Sequence, residues 1–379
     1  MKLAQAALSR PRSGVRKMME LAWGRPDVVH LEVGEPGFAT PRHVVEAAHR
    51  AAGVDGMTRY APTPGLPELR DALATKIRDF NGINASQSQV LVTNGGANAL
   101  FVVLGSILEA GTSILIPNPG WSNFTMMTAA FGARPVYYDL TADGGYLPDL
   151  DRLAALVDPT TRAIILNSPS NPLGSVMRRD LLERLYEFAE KHDLWIISDE
   201  CYDAVDFSGE FFSIGALEDA PERVVSVYSF SKVYAMTGWR VGYVAMPQQL
   251  VDPVLGLLQP SVMCVNTPAQ FGALAAITGP QDEIDGWVKG YREHRDLVIS
   301  RLAGSRYGTS TPEGGFYVWT DVSDYGKPSE EFAVSLLLDH GVATTPGTAF
   351  GSNGEGYLRL SLATPREQLE IGLSRMLAV

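Results

Sequence analysis

The sequence predicts an α/β protein with a largely parallel, doubly wound sheet, helices on both faces, and a second, smaller α+β unit. Three observations predict it. Short β-branched runs alternate with helical patterns from about residue 90 to 245, and those runs are apolar throughout, as suits strands covered on both faces. Beyond that block the strict alternation stops.

In chain order, Gly65-Leu66-Pro67-Glu68 places a proline in a first helical turn, and Leu69, Ala72, Leu73, Ile77 and Phe80 then fall on one face. The strand runs follow as VLVT (90–93), SILIP (113–117), RPVYYDL (134–140), AIILNS (163–168), LWIISD (194–199), VVSVYS (224–229) and VGYVAM (241–246). Between them, 178–191 carries Leu181, Leu182, Leu185, Phe188 and Ala189 at helical spacing. A charged helix is expected around 282–303, a strand at FYVWTDV (316–322), a helix from an N-cap at Ser329 to Gly341, and a last amphipathic helix. No internal repeat is visible.

Composition narrows the function classes. A chain of 379 residues with 45% hydrophobic positions is long for one core, so two domains are expected. Its formal charge of −12 gives no footing for nucleic acid or for anionic lipid. The opening MKLAQAALSRPRS is too short in apolar residues for a signal peptide, and no run reaches the length of a membrane span. Cys201 and Cys264 form neither a disulfide framework nor a metal pattern, so the expected setting is a reducing cytoplasm with no bound metal.

Open α/β sheets build their sites at strand ends, and four ends here are unusual. Asn94-Gly95-Gly96-Ala97-Asn98 opens a helix, where free N–H groups cradle an anion or the glycines simply make a tight connection. Asn167-Ser168-Pro169-Ser170-Asn171-Pro172 is a rigid turn that can aim an amide at a ligand. Asp199, at the end of a buried strand, needs either a structural arginine or a cationic ligand atom. Ser229-Phe230-Ser231-Lys232, with Arg240 eight residues on, sets a lysine where burial and a neighbouring cation favour the neutral amine a nucleophile requires, unless it only faces solvent. Neither GxGxxG nor a GxxxxGK[ST] loop is present. As a set these groups meet the needs of pyridoxal phosphate: N–H groups, hydroxyls and Arg for the phosphate, an amine for the aldehyde, a carboxylate for the ring nitrogen.

The chain resembles the class I/II aminotransferases, fold type I pyridoxal-phosphate enzymes of the aspartate aminotransferase superfamily. The resemblance rests on LEVGEPGF (31–38), YAPTPGLPELR (60–70), TNGGANAL (93–100), NPGW (118–121), NSPSNPLG (167–174), SDECY (198–202), SFSKVYAMTGWRVGY (229–243), GGFYVW (314–319), PGTAFG (346–351) and LRLSLAT (358–364). It implies a seven-stranded, mainly parallel sheet in a large domain over 45–285, with a small domain from 1–44 and 286–379.

Residue by residue, Lys232 resembles the Schiff-base lysine that also moves the substrate proton. Asp199 resembles the partner of the ring nitrogen, Tyr202 and Asn171 the donors to the phenolic oxygen, and Trp121 the aromatic on the ring face. Gly96, Ala97, Ser229, Ser231 and Arg240 resemble the phosphate cup. Tyr60 resembles the tyrosine that reaches the neighbouring phosphate in a homodimer. Arg359 resembles the grip on the substrate carboxylate, and Gly34 the close-approach glycine beside it. The implied activity moves an amino group between an amino acid and a 2-oxo acid through the Lys232 Schiff base and a quinonoid carbanion.

Dicarboxylate-specific relatives place an arginine before the Asn-x-Pro turn, here Asn266-Thr267-Pro268. Ser261 stands near that place, residues 248–270 contain no Lys or Arg, and Ala97 brings no cation. A neutral or aromatic donor is therefore expected ahead of aspartate. Two alternatives keep the same residues: a C–S β-lyase, and a cofactor-binding sensor, for which the net charge and the early LEVGEP motif leave neither footing nor room for a DNA-binding domain.

Overall fold

The protein is described here by a computed structural model covering residues 14–54 and 56–379. The MKLAQAALSRPRS stretch lies outside the described residues. All seven predicted runs form strands of one sheet: β1 (Val90–Thr93), β2 (Ser113–Asn118), β3 (Arg134–Asp139), β4 (Thr161–Asn167), β5 (Trp195–Asp199), β6 (Val224–Ser229) and β7 (Gly242–Ala245). Their spatial order is β1-β7-β6-β5-β4-β2-β3. β7 pairs antiparallel with both of its neighbours, and the other pairings in the sheet are parallel.

Burial explains which strands read most clearly. β1, β2 and β7 are buried at every residue, as expected for strands with helices on both faces. β3 departs from that expectation: it is one of the two sheet edges, with half of its residues exposed, and tolerates Pro135 because an edge strand has no second neighbour to bond. Two apolar clusters fill the faces. One gathers Leu91, Ile116, Ile197 and Val227 under the helices Gly96–Ile107 and Gln248–Val262, and the other gathers Leu115, Ile164 and Ile196 under Arg179–Lys191.

The predicted helices are present at Pro67–Asp79, Arg179–Lys191, Asp282–Leu302, Ser329–His340 and Arg366–Met376. One terminus needs correction. Ser329 is the first helical residue and not the N-cap; Pro328 holds that place, and the Ser329 hydroxyl instead donates to Glu355 (3.0 Å) and accepts from the Gly356 N–H (2.7 Å). Gly341 does end the helix, in the left-handed conformation at φ +64.

After residue 302 the chain builds a four-stranded antiparallel sheet, in which β8 (Tyr317–Asp321) pairs with β9 (Tyr357–Ser361). Val29–His30 pairs in parallel with Val342–Ala343, and Met18, Ala22, Val29 and Leu31 join the same apolar cluster as Phe316, Leu336 and Leu360. Sequence periodicity alone points only to the C-terminal part of this unit, because two-residue strands are too short to carry a pattern.

Candidate active site

A parallel sheet delivers the C-terminal ends of its strands to one edge. β4 ends at Asn167, β5 at Asp199 and β6 at Ser229, and Asn167 lies opposite Asp199 in the ladder. The Ser229 hydroxyl accepts from the Ser231 N–H (3.2 Å) and caps a short helix, Phe230–Val233, which carries Lys232 back over this edge. The Lys232 ammonium donates to the Gly34 carbonyl. Gly34, Trp121, Asn171, Asp199, Tyr202, Lys232 and Arg359 line one cavity of about 270 Å³.

Arg359 reaches this cavity from β9 and is only 2% exposed. Its Nη1 donates to Asn171 Oδ1 (3.0 Å) and its Nη2 to the Glu32 carbonyl (2.7 Å), while the guanidinium lies 4.1 Å from the Tyr317 ring centroid. Its Nε is buried with no partner. Among the described residues its contacts are neutral oxygens and the Tyr317 and Phe350 ring faces; burial pulls its pKa below the usual arginine range, with the nearby charge of Glu32 opposing, so the guanidinium can still receive an anion. The glycine at 34 is required for space, since a Cβ there would sit 2.5 Å from Tyr317 Oη and 3.7 Å from Arg359 Nη2.

Asp199 is buried, and burial raises its pKa above the usual carboxylate range. The Cys201 thiol and N–H (3.3 Å) and the charge of Lys232 oppose that shift. A further cation or N–H donor facing the carboxyl from the cavity would stabilise its ionised form. The Tyr202 hydroxyl pairs with that of Tyr317 at 2.9 Å, and burial holds the Tyr202 pKa well above the usual phenol range.

A second group of residues lies beside this cavity. Gly95, at φ +83, caps the helix Gly96–Ile107, whose first N–H groups at Gly96 and Ala97 lack intrahelical acceptors. Arg240 sits at φ +56, a conformation that costs a non-glycine residue about 1–3 kcal/mol. That turn aims its guanidinium at Thr237 O (2.7 Å), Asn94 O (3.4 Å) and Ser231 Oγ (3.5 Å). A Cβ on Gly95 would collide with this guanidinium, and one on Gly96 would lie 3.0 Å from Cys201 Sγ and 3.4 Å from Ser229 Cβ. Backbone N–H groups, two serine hydroxyls and a guanidinium thus surround a cradle kept open by glycine.

Of the predicted site residues, Tyr60 joins neither the cavity nor the group beside it, and Ser261, which stands near the place of the arginine in dicarboxylate-specific relatives, does not line the cavity either. Tyr60 is 85% exposed, and Ser261 is exposed with its hydroxyl donating to Leu258 O (2.9 Å). Sequence reasoning in turn missed Tyr317, Cys201 and Ser122, which also line it. Tyr317 had no local signal: it stands two residues from Trp319, which pairs with Arg359 in the β8–β9 ladder, and only that register puts Tyr317 and Arg359 on one sheet face. Cys201 and Ser122 had none beyond adjacency to Tyr202 and Trp121.

Residues 26–376 match the family model for aminotransferase class I and II. The chain is 37% identical over 368 residues to aspartate aminotransferase of Pyrococcus abyssi, covering 96% of this chain and 94% of that one. The chain belongs to the class I and II aminotransferases. It is 35% identical over 368 residues to aromatic-amino-acid aminotransferase 2 of Thermococcus litoralis, covering 96% and 94% of the two chains. It superposes on the solved structure of Thermus thermophilus aspartate aminotransferase with maleate at a TM-score of 0.95 and 36% identity, over 100% of this chain and 99% of that one. It is therefore a pyridoxal-phosphate-dependent aminotransferase of the fold type I architecture. The C–S lyase alternative draws no support from these relatives. Among the described residues, no helix is long and apolar enough to cross a membrane.

The donor set fits the cofactor on this chain's own geometry. The chain offers the glycine-lined cradle for a phosphate, a buried carboxyl whose ionised form lacks a full counter-charge, and, lining the same cavity as that carboxyl, Lys232 as the amine for an aldehyde.

Proposed function

We propose that this aminotransferase moves an amino group from a neutral or aromatic amino acid to a 2-oxo acid, with Lys232 as the proton-moving base and Arg359 as the carboxylate anchor. One observation carries the reading: a buried acid, an amine and a buried guanidinium with unused donor capacity converge on a single cavity. Pyridoxal phosphate, when bound, supplies the electron sink that makes the substrate Cα–H acidic.

The chain's own residues do the rest. Gly96, Ala97, Ser229, Ser231 and Arg240 hold the phosphate. Asp199 keeps a proton on the ring nitrogen, because an ionised buried carboxylate gains most from a facing N–H⁺. Asn171 and Tyr202 donate to the phenolic oxygen, with Asn171 turned by Arg359 and Tyr202 by Tyr317. Trp121 covers the ring face, edge-on to Phe124 at 5.5 Å, which limits its rotation. The Lys232 amine would serve as the base that takes the substrate Cα proton and as the acid that gives a proton back on the far side of the substrate nitrogen. Gly34 gives the substrate room, and its carbonyl holds the Lys232 ammonium.

The donor preference rests on charge. Among the described residues, Lys232 and Arg359 are the cations lining the cavity, and both have roles already, so a distal carboxylate lacks a partner there. The same reading makes the enzyme a homodimer with Tyr60 crossing to the neighbouring phosphate, which accounts for a tyrosine 85% exposed. It also divides the chain into 45–285 and 1–44 with 286–379; the apolar cluster of the small sheet draws most of its residues from the two chain ends, with Tyr202, Val205 and Phe207 reaching in from the large part. Both boundaries fall inside helices, Arg42–Ala52 and Asp282–Leu302, which would span the two parts rigidly. Two free cysteines suit a reducing cytoplasm.

Borohydride reduction of the loaded enzyme, followed by peptide mapping, tests the central assignment. The label is expected on Lys232, and the yellow colour is expected to bleach with an amino donor. Lys232→Ala is expected to lower turnover by roughly 10³-fold or more. A label on another lysine overturns the reading.

A further inference from the structure

The cavity that holds Arg359 and Lys232 leaves little room for a long substrate side chain, yet a second cavity of about 330 Å³ adjoins it. The two share Trp121 and Ser122 as walls. A third link is Phe350, which lines the second cavity while its ring centroid lies 4.9 Å from the Arg359 guanidinium. A substrate held by its α-carboxylate on Arg359 therefore has this space beside it.

Its walls are mostly apolar: Met18 from the helix Gly14–Ala22, Ile116 and Pro117 from the end of β2, Tyr137 from β3, and Ala349 and Phe350 from the turn after Pro346. Among the described residues two charges line it, Lys17 and Glu330, and they form an ion pair with each other. Both side chains are about half exposed (58% and 50%), so Lys17 is a cation at this wall whose charge Glu330 offsets in part.

We propose that this cavity is the side-chain subsite, and that the Lys17–Glu330 pair sets its charge preference. Apolar and aromatic side chains enter it, and ω-carboxylates are disfavoured because Glu330 occupies the cation they would need. The inference rests on reading Arg359 as the α-carboxylate anchor. It locates the donor preference in a pair of residues far apart in sequence, and it states how that preference is reversed. Removing the Glu330 charge frees Lys17 for a distal carboxylate, at no cost to an apolar side chain.

Two inert acids separate the possibilities by calorimetry on the pyridoxal-phosphate-loaded enzyme: maleate for a dicarboxylate and 3-phenylpropionate for an aromatic monocarboxylate. Glu330→Gln is expected to tighten maleate by about tenfold while moving 3-phenylpropionate less than about threefold. The double variant Lys17→Met with Glu330→Gln is expected to lose that gain. Thr125→Trp, which fills the cavity from the helix Asn123–Ala130, is expected to weaken 3-phenylpropionate by about tenfold or more.

Unchanged maleate affinity in Glu330→Gln, or a gain that survives in the double variant, overturns the role of the ion pair. Undiminished 3-phenylpropionate binding in Thr125→Trp overturns the subsite itself. If neither acid binds the unsubstituted enzyme, the Arg359 assignment fails, and this proposal fails with it.

Discussion

Arg359 shows how one residue's surroundings define its task. A buried guanidinium is costly to desolvate, and here its neighbours are an amide oxygen, a carbonyl and two aromatic faces, with no carboxylate among the described residues in a salt bridge to it. On the proposed reading, a substrate carboxylate is the anion that meets it. Because that recognition is a planar, two-point contact, lysine is a poor replacement. Arg359→Lys is expected to lower kcat/KM by about 10²-fold, equivalent to the loss of a charge-assisted contact of about 2–3 kcal/mol. The effect should appear mainly in KM, and steady-state kinetics with an amino donor read it directly. Equal kinetics for Arg359→Lys and the parent enzyme would remove Arg359 from carboxylate binding.

At the scale of elements, the end of β5 is fixed by a second carboxyl. Glu200 is 1% exposed and accepts from Ser198 Oγ (2.8 Å), Ser213 Oγ (2.8 Å) and Tyr228 OH (2.8 Å), so it joins β5, the 213 turn and β6 just behind Asp199. Burial pushes its pKa up to about 7 from 4.5, with those three hydroxyls pulling the other way. A carboxyl that binds its proton more tightly when folded contributes stability below its unfolded pKa, and that contribution is lost as pH rises. For Glu200 the window runs from about 4.5 to about 7, and the loss is on the order of 3 kcal/mol. Asp199 shifts in the same direction. The cofactor-free protein is therefore expected to be less stable to urea at pH 7.5 than at pH 5, and Glu200→Gln is expected to flatten that difference by about 2–3 kcal/mol. An unaltered pH dependence in the variant would show that Glu200 titrates normally.

For the whole molecule, the exposed Tyr60 is the residue on which the proposed dimer can be tested. If Tyr60 serves the neighbouring site, Lys232→Ala and Tyr60→Ala are expected to complement each other. Mixed dimers then contain one site with both residues intact, giving about a quarter of parental activity from an equal mixture. A mixture no more active than its components would place Tyr60 outside the site. Much of this molecule is legible one segment at a time. The strand runs announce themselves because buried strands must be apolar, and the strand-end polar residues stand out because burying them unpartnered is costly. Lys232, Asp199, Asn171 and the glycine cradle are visible for that reason. What the sequence by itself determined is the sheet, its chemistry-bearing edge and the family to which the chain belongs. Tertiary structure alone decided the pairings that no local pattern encodes: Tyr317 beside Arg359 through the β8–β9 register, Val29–His30 against Val342–Ala343, and Lys17 against Glu330. Local pattern reports burial and period, whereas contact between segments distant in sequence is fixed only when the whole core packs and leaves each pair one geometry.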